Sequence, residues 1–382
     1  MSPFVVSVMQ LLCGFLLLLA AASVSAQQVP SPPPIAAKAY LLLDYNSGQS
    51  LVSHNPEQRI EPASLTKLMT AYLTFSALRQ KTLKPDQMVV VSSRAWKSAG
   101  SRMFVELNRP VTVEELLKGM IVQSGNDACI ALAEAVGGSE EVFAQMMNRE
   151  AQRLGMKNTN FVNSTGLPHP QHYTTAYDLA LLATAIVRDF PEYYPLYSLK
   201  EYRYNNITQS NRNRLLWLDP TVDGIKTGYT ENAGYCLITS ARRGPRRLLS
   251  VVLGASSESM RATESQKLLN YGFQFYDTVK LYDRNQAVST VRVWKGGSNV
   301  VKAGFPQEMY LSVPKGSADK LKATVETQQP LLAPVSAGQK IGVLRVELDG
   351  KPYGEFPVVA LEEVGVAGIF GRGWDSLRLL FK

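Results

Sequence analysis

Two side chains that could together perform nucleophilic chemistry lie close to each other in the first fifth of the sequence. Ser64 is followed three residues later by Lys67, and the apolar run at residues 65–78 predicts a buried helix. Because positions i and i+3 share one face of a helix, we expect the Lys67 amine beside the Ser64 hydroxyl. A serine hydroxyl needs a base before it attacks, and a lysine with a lowered pKa can be that base. The pair therefore predicts covalent serine catalysis.

The same spacing occurs a second time, at Ser317 and Lys320. That copy follows Pro314 and Gly316 and has no apolar helix behind it, so we interpret it as a turn with a solvated lysine. The position at the start of a buried segment is what favours Ser64 over Ser317 as the nucleophile.

Two further polar motifs follow along the chain. Ser124 and Asn126 lie between two predicted helices, where a hydroxyl can relay a proton and an amide can bind a peptide carbonyl. Lys226, Thr227 and Gly228 begin a β-rich run, and a glycine there lets a substrate approach the backbone closely. Each motif is weak alone, so their combination carries the interpretation.

The three motifs in this order form the signature of penicillin-binding proteins and class A β-lactamases. The longer strings at residues 121–128 and 223–228 resemble the low-molecular-mass penicillin-binding proteins that are serine-type D-alanyl-D-alanine carboxypeptidases. The resemblance covers about residues 37–382. It implies that the substrate is a peptidoglycan pentapeptide, that the terminal D-alanine is removed, and that β-lactam antibiotics are covalent inhibitors.

The resemblance also implies a role for each motif residue. Ser64 attacks the D-Ala–D-Ala carbonyl to form an acyl-enzyme, Lys67 is its base, and Ser124 passes the proton to the leaving amine. The backbone N–H groups of Ser64 and Tyr229 form the oxyanion hole. The substrate-binding residues that it implies are Asn126, Lys226, Thr227, Gly228, Tyr229, Arg212 and Arg261.

Three of these binding positions depend on finer matches. Arg212 and Arg261 match family arginines near the motif and the substrate carboxylate, and a surface arginine is the alternative for each. Tyr229 departs from the family, because the resemblance leads us to expect histidine there. Only the backbone of this residue is needed for the oxyanion hole, and its side chain is expected to alter the deacylation rate or the pH dependence.

Two other functions share parts of this pattern. A β-lactamase-like hydrolase would need fast deacylation, helped in class A by a glutamate and its water, and no such glutamate can be assigned here. A non-catalytic penicillin-fold binding protein would be expected to lose Ser64 or Lys67. A Ser-His-Asp hydrolase is not favoured, since His169 and His172 lie among prolines in what we expect to be a solvated loop.

Length and composition predict a globular protein of two domains, with 382 residues of which 45% are apolar and 19% charged. We expect an α/β (α+β) catalytic domain at residues 37–280, with an antiparallel sheet and helices, and a small all-β domain at residues 283–364. In the catalytic domain, strands are predicted at residues 39–44, 49–53, 234–241 and 247–253, and helices at residues 112–121, 127–135, 140–154, 175–187 and 263–276.

The two ends of the chain predict its location. Residues 1–26 resemble a secretory signal peptide, although Met1–Gln10 carries no lysine or arginine, and residues 27–36 are a proline-rich linker. Residues 365–382 predict an amphipathic membrane-anchor helix. We therefore expect a periplasmic protein bound peripherally to the outer face of the inner membrane. An uncleaved anchor and a terminal helix packed on the protein itself are the alternatives.

Charge and cysteine content narrow the partners. The net charge of +8 suits anionic lipid or cell-wall polymer in a secreted protein, and no basic run with interleaved aromatics indicates nucleic-acid binding. Cys129 and Cys236 are expected to be two buried thiols. The Cys and His residues do not have metal-ligand spacing, so neither a metal nor a cofactor is expected.

Overall fold

The computed structural model describes residues 29–369 together with Asp375 and Arg378. Residues 29–36 form neither helix nor strand. The signal peptide expected at residues 1–26 and most of the helix expected at residues 365–382 lie outside the described residues, and both stay predictions.

The first part of the described chain mixes helices and strands. The strands are β1 (Ala39–Asp44), β2 (Ser50–His54), β3 (Met88–Val90), β4 (Pro110–Thr112), β5 (Glu201–Tyr204), β6 (Ile207–Ser210), β7 (Val222–Thr230), β8 (Gly234–Arg243) and β9 (Arg246–Ala255). The helices are α1 (Lys67–Arg79), α2 (Ser93–Trp96), α3 (Val113–Lys118), α4 (Asn126–Gly137), α5 (Glu140–Arg153), α6 (Ala176–Asp189), α7 (Leu215–Leu218) and α8 (Glu258–Phe275).

A five-stranded antiparallel sheet in the order β2-β1-β9-β8-β7 organises this part. Side chains alternate between the two faces of a strand, and both faces of β1 are apolar. Leu41 and Leu43 join the core that contains α1, α4 and α6, whereas Leu42 lies beside Gly272 of α8. Helices therefore cover both faces of the sheet, which confirms the predicted α/β class with an antiparallel sheet.

Capping residues set the ends of several helices. Thr112 and Glu115 form the expected capping box at the start of α3. The last helix of this part was expected at residues 263–276 but begins earlier, at Glu258. The reason is that the Ser257 hydroxyl accepts a hydrogen bond from the Met260 N–H, a cap that the apolar pattern does not reveal.

The rest of the described chain is all-β, as predicted. A six-stranded sheet has the order β14-β16-β17-β12-β11-β15, and β10 pairs with β13. Val291, Val301 and Leu344 belong to its own apolar core. The strands are β10 (Tyr276–Tyr282), β11 (Ala287–Trp294), β12 (Val300–Gly304), β13 (Met309–Pro314), β14 (Leu321–Thr327), β15 (Leu331–Leu332), β16 (Lys340–Leu348) and β17 (Lys351–Ala360). The strands expected in this part, at residues 288–293, 309–313, 321–325, 340–348 and 356–361, correspond to β11, β13, β14, β16 and β17, whereas β10, β12 and β15 were not predicted.

A buried carboxylate joins the two parts. Asp44 is fully buried at the end of β1 and accepts hydrogen bonds from the backbone N–H groups of Asn46 (3.0 Å) and Ser47 (3.1 Å). The Thr278 hydroxyl of β10 donates to the same carboxylate, and the Arg246 guanidinium lies 3.6 Å from it. The all-β part is thus fixed to the central sheet by a charge that has no contact with water.

Candidate active site

Ser64 and Lys67 meet where a short 3₁₀ turn, Ala63–Thr66, leads into α1. The Lys67 Nζ lies 3.0 Å from the Ser64 Oγ, so the expected contact between the two side chains is present. Lys67 is 2% exposed, whereas Ser64 is only partly buried. The residue before the serine, Ala63, has a left-handed φ of 48°. This arrangement presents the hydroxyl to solvent and keeps its base beneath it.

A hydrogen bond fixes the Lys67 amine, and burial favours its neutral form. Its Nζ donates a hydrogen bond to the Thr165 carbonyl at 2.6 Å. Burial lowers the pKa of Lys67 to about 8, and the positive charge of Arg212 acts in the same direction. The negative charges of Cys129, if ionised, and Asp127 oppose that shift. At mildly alkaline pH a large fraction of Lys67 is therefore able to accept a proton.

The second motif lies at an irregular helix junction. A π-helical turn, Gly119–Gln123, ends at Ser124, which adopts a left-handed conformation with φ 66° and ψ 33°. Ser124 is 3% exposed, and its Oγ accepts a hydrogen bond from the Lys226 Nζ at 2.9 Å. Asn126 begins α4, and its amide donates to the Ala99 carbonyl at 2.7 Å. Ser124 is thereby linked to a second lysine.

The third motif lies on β7, the edge strand of the central sheet. Gly228 packs so closely on the serine turn that a Cβ there would lie 3.2 Å from both the Pro62 carbonyl oxygen and the Ala63 Cβ. Glycine therefore brings the following backbone, that of Tyr229, close to Ser64. An edge strand also offers unpaired backbone groups to which an extended peptide can bind.

Lys226 carries the same kind of perturbation as Lys67. Burial lowers the pKa of Lys226 well below its usual range, and the positive charges of Lys67, Arg212 and Arg261 lower it further. A cluster of four basic groups in one site favours an anionic ligand, whose charge would restore protonation of Lys226.

The two predicted arginines lie at opposite depths of the same site. Arg261 is 3% exposed, and its guanidinium donates to the Gly228 and Arg212 carbonyls at 3.4 Å each. It also lies 5.6 Å from the centre of the Tyr235 ring. Arg212 is exposed at the rim. Tyr229 is 51% exposed and lies against Tyr235 with ring centres 4.4 Å apart.

A single cleft of about 480 Å³ brings these groups together, within the range usual for ligand sites. Eight of the ten predicted site residues line it, and the other two, Lys67 and Lys226, lie beneath it in contact with Ser64 and Ser124. The eight are Ser64, Ser124, Asn126, Arg212, Thr227, Gly228, Tyr229 and Arg261. The described residues contain no group of His, Cys, Asp or Glu side chains placed to hold a metal ion.

Outside the cleft, the structure contradicts the expectation for His172 and confirms that for the two cysteines. His172 is not solvated: it is 2% exposed, its Nε2 lies 2.8 Å from the Thr66 Oγ1, and its Nδ1 accepts from the Val162 N–H. Burial lowers the pKa of His172 to about 4, so it is neutral at pH 7. Cys129 and Cys236 are both free and buried, as expected. The solvated-loop interpretation holds for His169, which is exposed, and fails for His172, because the sequence does not show that this side chain packs on the serine turn.

The second S-x-x-K copy has the expected structure. Ser317 precedes a 3₁₀ turn, Ala318–Lys320, whose residues are not buried. Lys320 is paired loosely with Asp349, with 4.0 Å between Nζ and the carboxylate. Nothing there resembles the buried lysine of the first copy.

Comparison with known sequences identifies the same family that the three motifs of the cleft resemble. The family described as "D-alanyl-D-alanine carboxypeptidase" matches residues 26–257. The chain belongs to that family. A second family, described as "Penicillin-binding protein 5, C-terminal domain", matches residues 276–366. An Escherichia coli relative, D-alanyl-D-alanine carboxypeptidase DacC, is 42% identical over 376 residues, which cover 96% of this chain and 94% of the relative.

Solved structures agree with this D-alanyl-D-alanine carboxypeptidase assignment. Penicillin-binding protein 5 from Haemophilus influenzae has a TM-score of 0.83 and 42% identity, covering 88% of this chain and 99% of that one. Penicillin-binding protein D2 from Listeria monocytogenes, solved in an ampicillin-bound form, has a TM-score of 0.59 and 30% identity and covers 64% of this chain and 100% of that one. The resemblance seen in the motifs therefore extends to the whole fold.

Proposed function

We propose that this chain is a serine-type D-alanyl-D-alanine carboxypeptidase that removes the terminal D-alanine from peptidoglycan pentapeptides through a Ser64 acyl-enzyme. The observation that carries the proposal is the pair of serine–lysine contacts in one cleft, Ser64 with Lys67 at 3.0 Å and Ser124 with Lys226 at 2.9 Å. One pair can activate the nucleophile and the other can serve the leaving group.

Acylation begins with proton transfer from the Ser64 hydroxyl to neutral Lys67 as Oγ bonds to the carbonyl carbon of the penultimate D-alanine. The carbonyl oxygen becomes an oxyanion, for which the N–H groups of Ser64 and Tyr229 are the donors. The C–N bond then breaks, and the proton reaches the leaving amine by way of Ser124. Free D-alanine departs, and the remaining peptide is esterified to Ser64.

Hydrolysis of this ester completes the cycle. Water attacks the ester carbonyl, loses a proton to Lys67, and the Ser64 oxygen regains a proton as the tetrapeptide leaves. A β-lactam opens on the same serine, but its amine leaving group stays tethered within the acyl group. We therefore propose that β-lactams acylate Ser64 and inhibit the enzyme.

The substrate is recognised at its negative end. Thr227 and Arg261 line the cleft beside β7 and Lys226 lies beneath it, so a C-terminal carboxylate there would be met by a hydroxyl, a guanidinium and an amine that it can keep protonated. Asn126, at the start of α4, and the open edge of β7 would hold the peptide backbone.

The decisive experiment measures D-alanine release from a pentapeptide by wild-type protein, Ser64→Ala and Ser317→Ala. We expect release by the wild type and by Ser317→Ala, and none by Ser64→Ala. Mass spectrometry after incubation with a labelled penicillin should find the adduct on Ser64 alone. Absence of release by the wild type, or an active Ser64→Ala variant, would overturn the proposal.

We also propose that the enzyme is secreted and lies on the periplasmic face of the inner membrane. Support comes from the signal-peptide pattern and the amphipathic pattern of residues 365–382. The Asp375 carboxylate, on the polar side of that pattern, accepts a hydrogen bond from the Lys295 N–H of the all-β part. Within the described residues, none of the helices has the length and apolar character of a membrane span.

Truncation after Gly365 tests the attachment. The truncated protein should release D-alanine at the wild-type rate and move from the membrane pellet to the soluble fraction. If the partition between pellet and supernatant stays the same after truncation, the terminal segment is not the anchor.

A further inference from the structure

The carbonyl that holds Lys67 belongs to a loop from another part of the chain. The Lys67 Nζ donates to the Thr165 carbonyl at 2.6 Å, and the preceding carbonyl, that of Ser164, accepts from the Thr70 hydroxyl at 2.7 Å. The two donors, Lys67 and Thr70, lie one turn apart on α1, so two consecutive carbonyls of the loop face that helix. The position of the general base therefore depends on how firmly residues 164 and 165 are held.

A buried carboxylate holds them. Glu140, at the start of α5, is 5% exposed, and its Oε1 accepts hydrogen bonds from both the N–H (2.9 Å) and the hydroxyl (2.6 Å) of Ser164. Its Oε2 forms an ion pair with Arg94 at 2.7 Å. Ser164 and Arg94 both act as donors to this carboxylate. Glu140 does not line the cleft, so it touches Ser64 and the substrate only through other residues.

We propose that Glu140 is a positioning residue for the reaction. Its carboxylate fixes the Ser164 peptide, which fixes the Thr165 carbonyl, which in turn fixes the Lys67 amine beside Ser64. The inference rests on the proposed function, since it assumes that Lys67 is the base.

The chemistry of a neutral lysine explains why this matters. A neutral amine has two N–H bonds and one lone pair, and only the lone pair can take the Ser64 proton. When one N–H is held by the Thr165 carbonyl, the amine can turn its lone pair towards Ser64 Oγ. A misplacement of about 1 Å can cost about a hundredfold in rate, so a loosened carbonyl should slow acylation without weakening substrate binding.

The same contact bears on the charge of Lys67. The Thr165 carbonyl accepts a hydrogen bond from the Lys67 amine, and such a bond stabilises the protonated form. A carbonyl displaced by Glu140→Gln stabilises the protonated amine less, which lowers the pKa of Lys67. The other groups that act on Lys67 stay in place: Cys129, Asp127, Arg212, Lys226 and His172.

A neighbouring residue supplies a matched control. Glu141 also pairs with Arg94, at 2.5 Å, but its side chain is 66% exposed and water can replace its partner. Gln at position 140 must point an amide N–H₂ at Ser164 or Arg94, both donors, whereas Gln at position 141 can turn to solvent. Each substitution removes one of the two carboxylates that pair with Arg94, but only Glu140→Gln also changes the acceptor of Ser164.

The experiment compares wild type, Glu140→Gln and Glu141→Gln in acylation of Ser64 by a labelled penicillin between pH 6 and 9, and in kcat and KM for a pentapeptide. We expect Glu140→Gln to acylate at least about tenfold more slowly, with KM little changed and the rise of rate with pH displaced to lower pH. Glu141→Gln should match the wild type. Equal acylation rates and pH profiles for the two variants would overturn the inference.

Two further measurements keep the outcomes separate. Ser164→Ala loses one of the two hydrogen bonds to Glu140 but keeps the backbone N–H. It should therefore fold and acylate more slowly than the wild type, by less than Glu140→Gln does. If Glu140→Gln does not fold, a wild-type acylation rate in Ser164→Ala contradicts the inference. A wild-type protein that fails to acylate at all contradicts the proposed function instead, because the positioning of Lys67 is then not being measured.

Discussion

The Lys226 Nζ donates a hydrogen bond to the Ser124 Oγ at 2.9 Å, across 102 residues of sequence. Ser124 is held at this point by a left-handed backbone at the end of a π-helical turn, and Lys226 by the edge strand of the central sheet. The serine hydroxyl thus accepts from the Lys226 amine and keeps its own proton free to donate. A hydroxyl in this state suits proton delivery to a leaving amine.

Ser124→Ala should therefore impair the release of D-alanine. We expect kcat to fall by about 10²–10⁴-fold, the usual contribution of a positioned proton donor, with a smaller change in KM. Steady-state kinetics with a pentapeptide test this. Thr112→Ser, a change at a helix cap remote from the cleft, should leave kcat near the wild-type value; an equal loss in both variants would contradict a role for the Ser124 hydroxyl.

The lowered pKa of Lys67 predicts how acylation depends on pH. The base must be neutral, and burial lowers its pKa to about 8. Below that value the neutral fraction grows about tenfold per pH unit, so acylation of Ser64 by a labelled penicillin should accelerate from pH 6 to 8 and level off above. Rates that are flat or falling over this range would contradict Lys67 as the base.

In the loop that carries the Thr165 carbonyl, adding one methyl group at Gly166 should reduce both stability and acylation. Gly166 has φ +86°, and a Cβ there would lie 1.7 Å from the Ala63 carbonyl oxygen, next to Ser64. Gly155 has φ +81° with nothing near its Cβ position. Gly155→Ala should cost about 1–2 kcal/mol of unfolding free energy from backbone strain alone.

Gly166→Ala should cost at least about 2 kcal/mol more than Gly155→Ala, because the overlap must displace the serine turn or the loop. It should also slow acylation, which Gly155→Ala leaves unchanged. Urea unfolding and penicillin labelling measure the two effects. Equal stability losses in the two variants would show that the turn can yield without cost.

The motif residues could be predicted from sequence because each carries a local signal, such as Ser64 at the head of a buried helix and Gly228 on a strand. The groups that support them could not. The Thr165 carbonyl is a backbone group, and its contact with Lys67 spans 98 residues. Glu140 reads as an ordinary first-turn acid, and His172 as a loop residue between prolines. Burial decides their roles, and burial follows from tertiary packing.

The elements of the fold could likewise be predicted only where the sequence carries a local signal. Strands β8 and β9 follow from their apolar runs and the turn between them, whereas β10 continues directly from α8 without a turn signal and was missed. The cap at Ser257 is a single hydroxyl before a polar first turn, so the helix start was placed too late.

Arg261 should bind the C-terminal carboxylate of the substrate. Arg261→Lys keeps a cation but loses the planar fork that pairs with a carboxylate, so KM for a pentapeptide should rise by about tenfold to a hundredfold. A pentapeptide with a C-terminal amide should be a poor substrate for the wild type and should be affected little by the substitution. If both peptides lose equally, Arg261 maintains the cleft rather than recognising the carboxylate.

The buried carboxylate between the two parts of the chain predicts a stability effect separate from catalysis. Asp44 is fully buried and accepts from Asn46, Ser47 and Thr278, with Arg246 nearby and only 14% exposed. Asp44→Asn leaves Arg246 without its counter-charge and turns an amide N–H₂ towards donors, so the free energy of unfolding should fall by about 3–5 kcal/mol.

The exposed ion pair Glu326–Arg345 gives the control, since Glu326→Gln should lower the free energy of unfolding by less than about 1 kcal/mol. Urea unfolding of both variants measures the difference, and the folded fraction of each should acylate at the wild-type rate. Similar losses at the two positions would mean that the Asp44 contacts contribute no more than a surface ion pair.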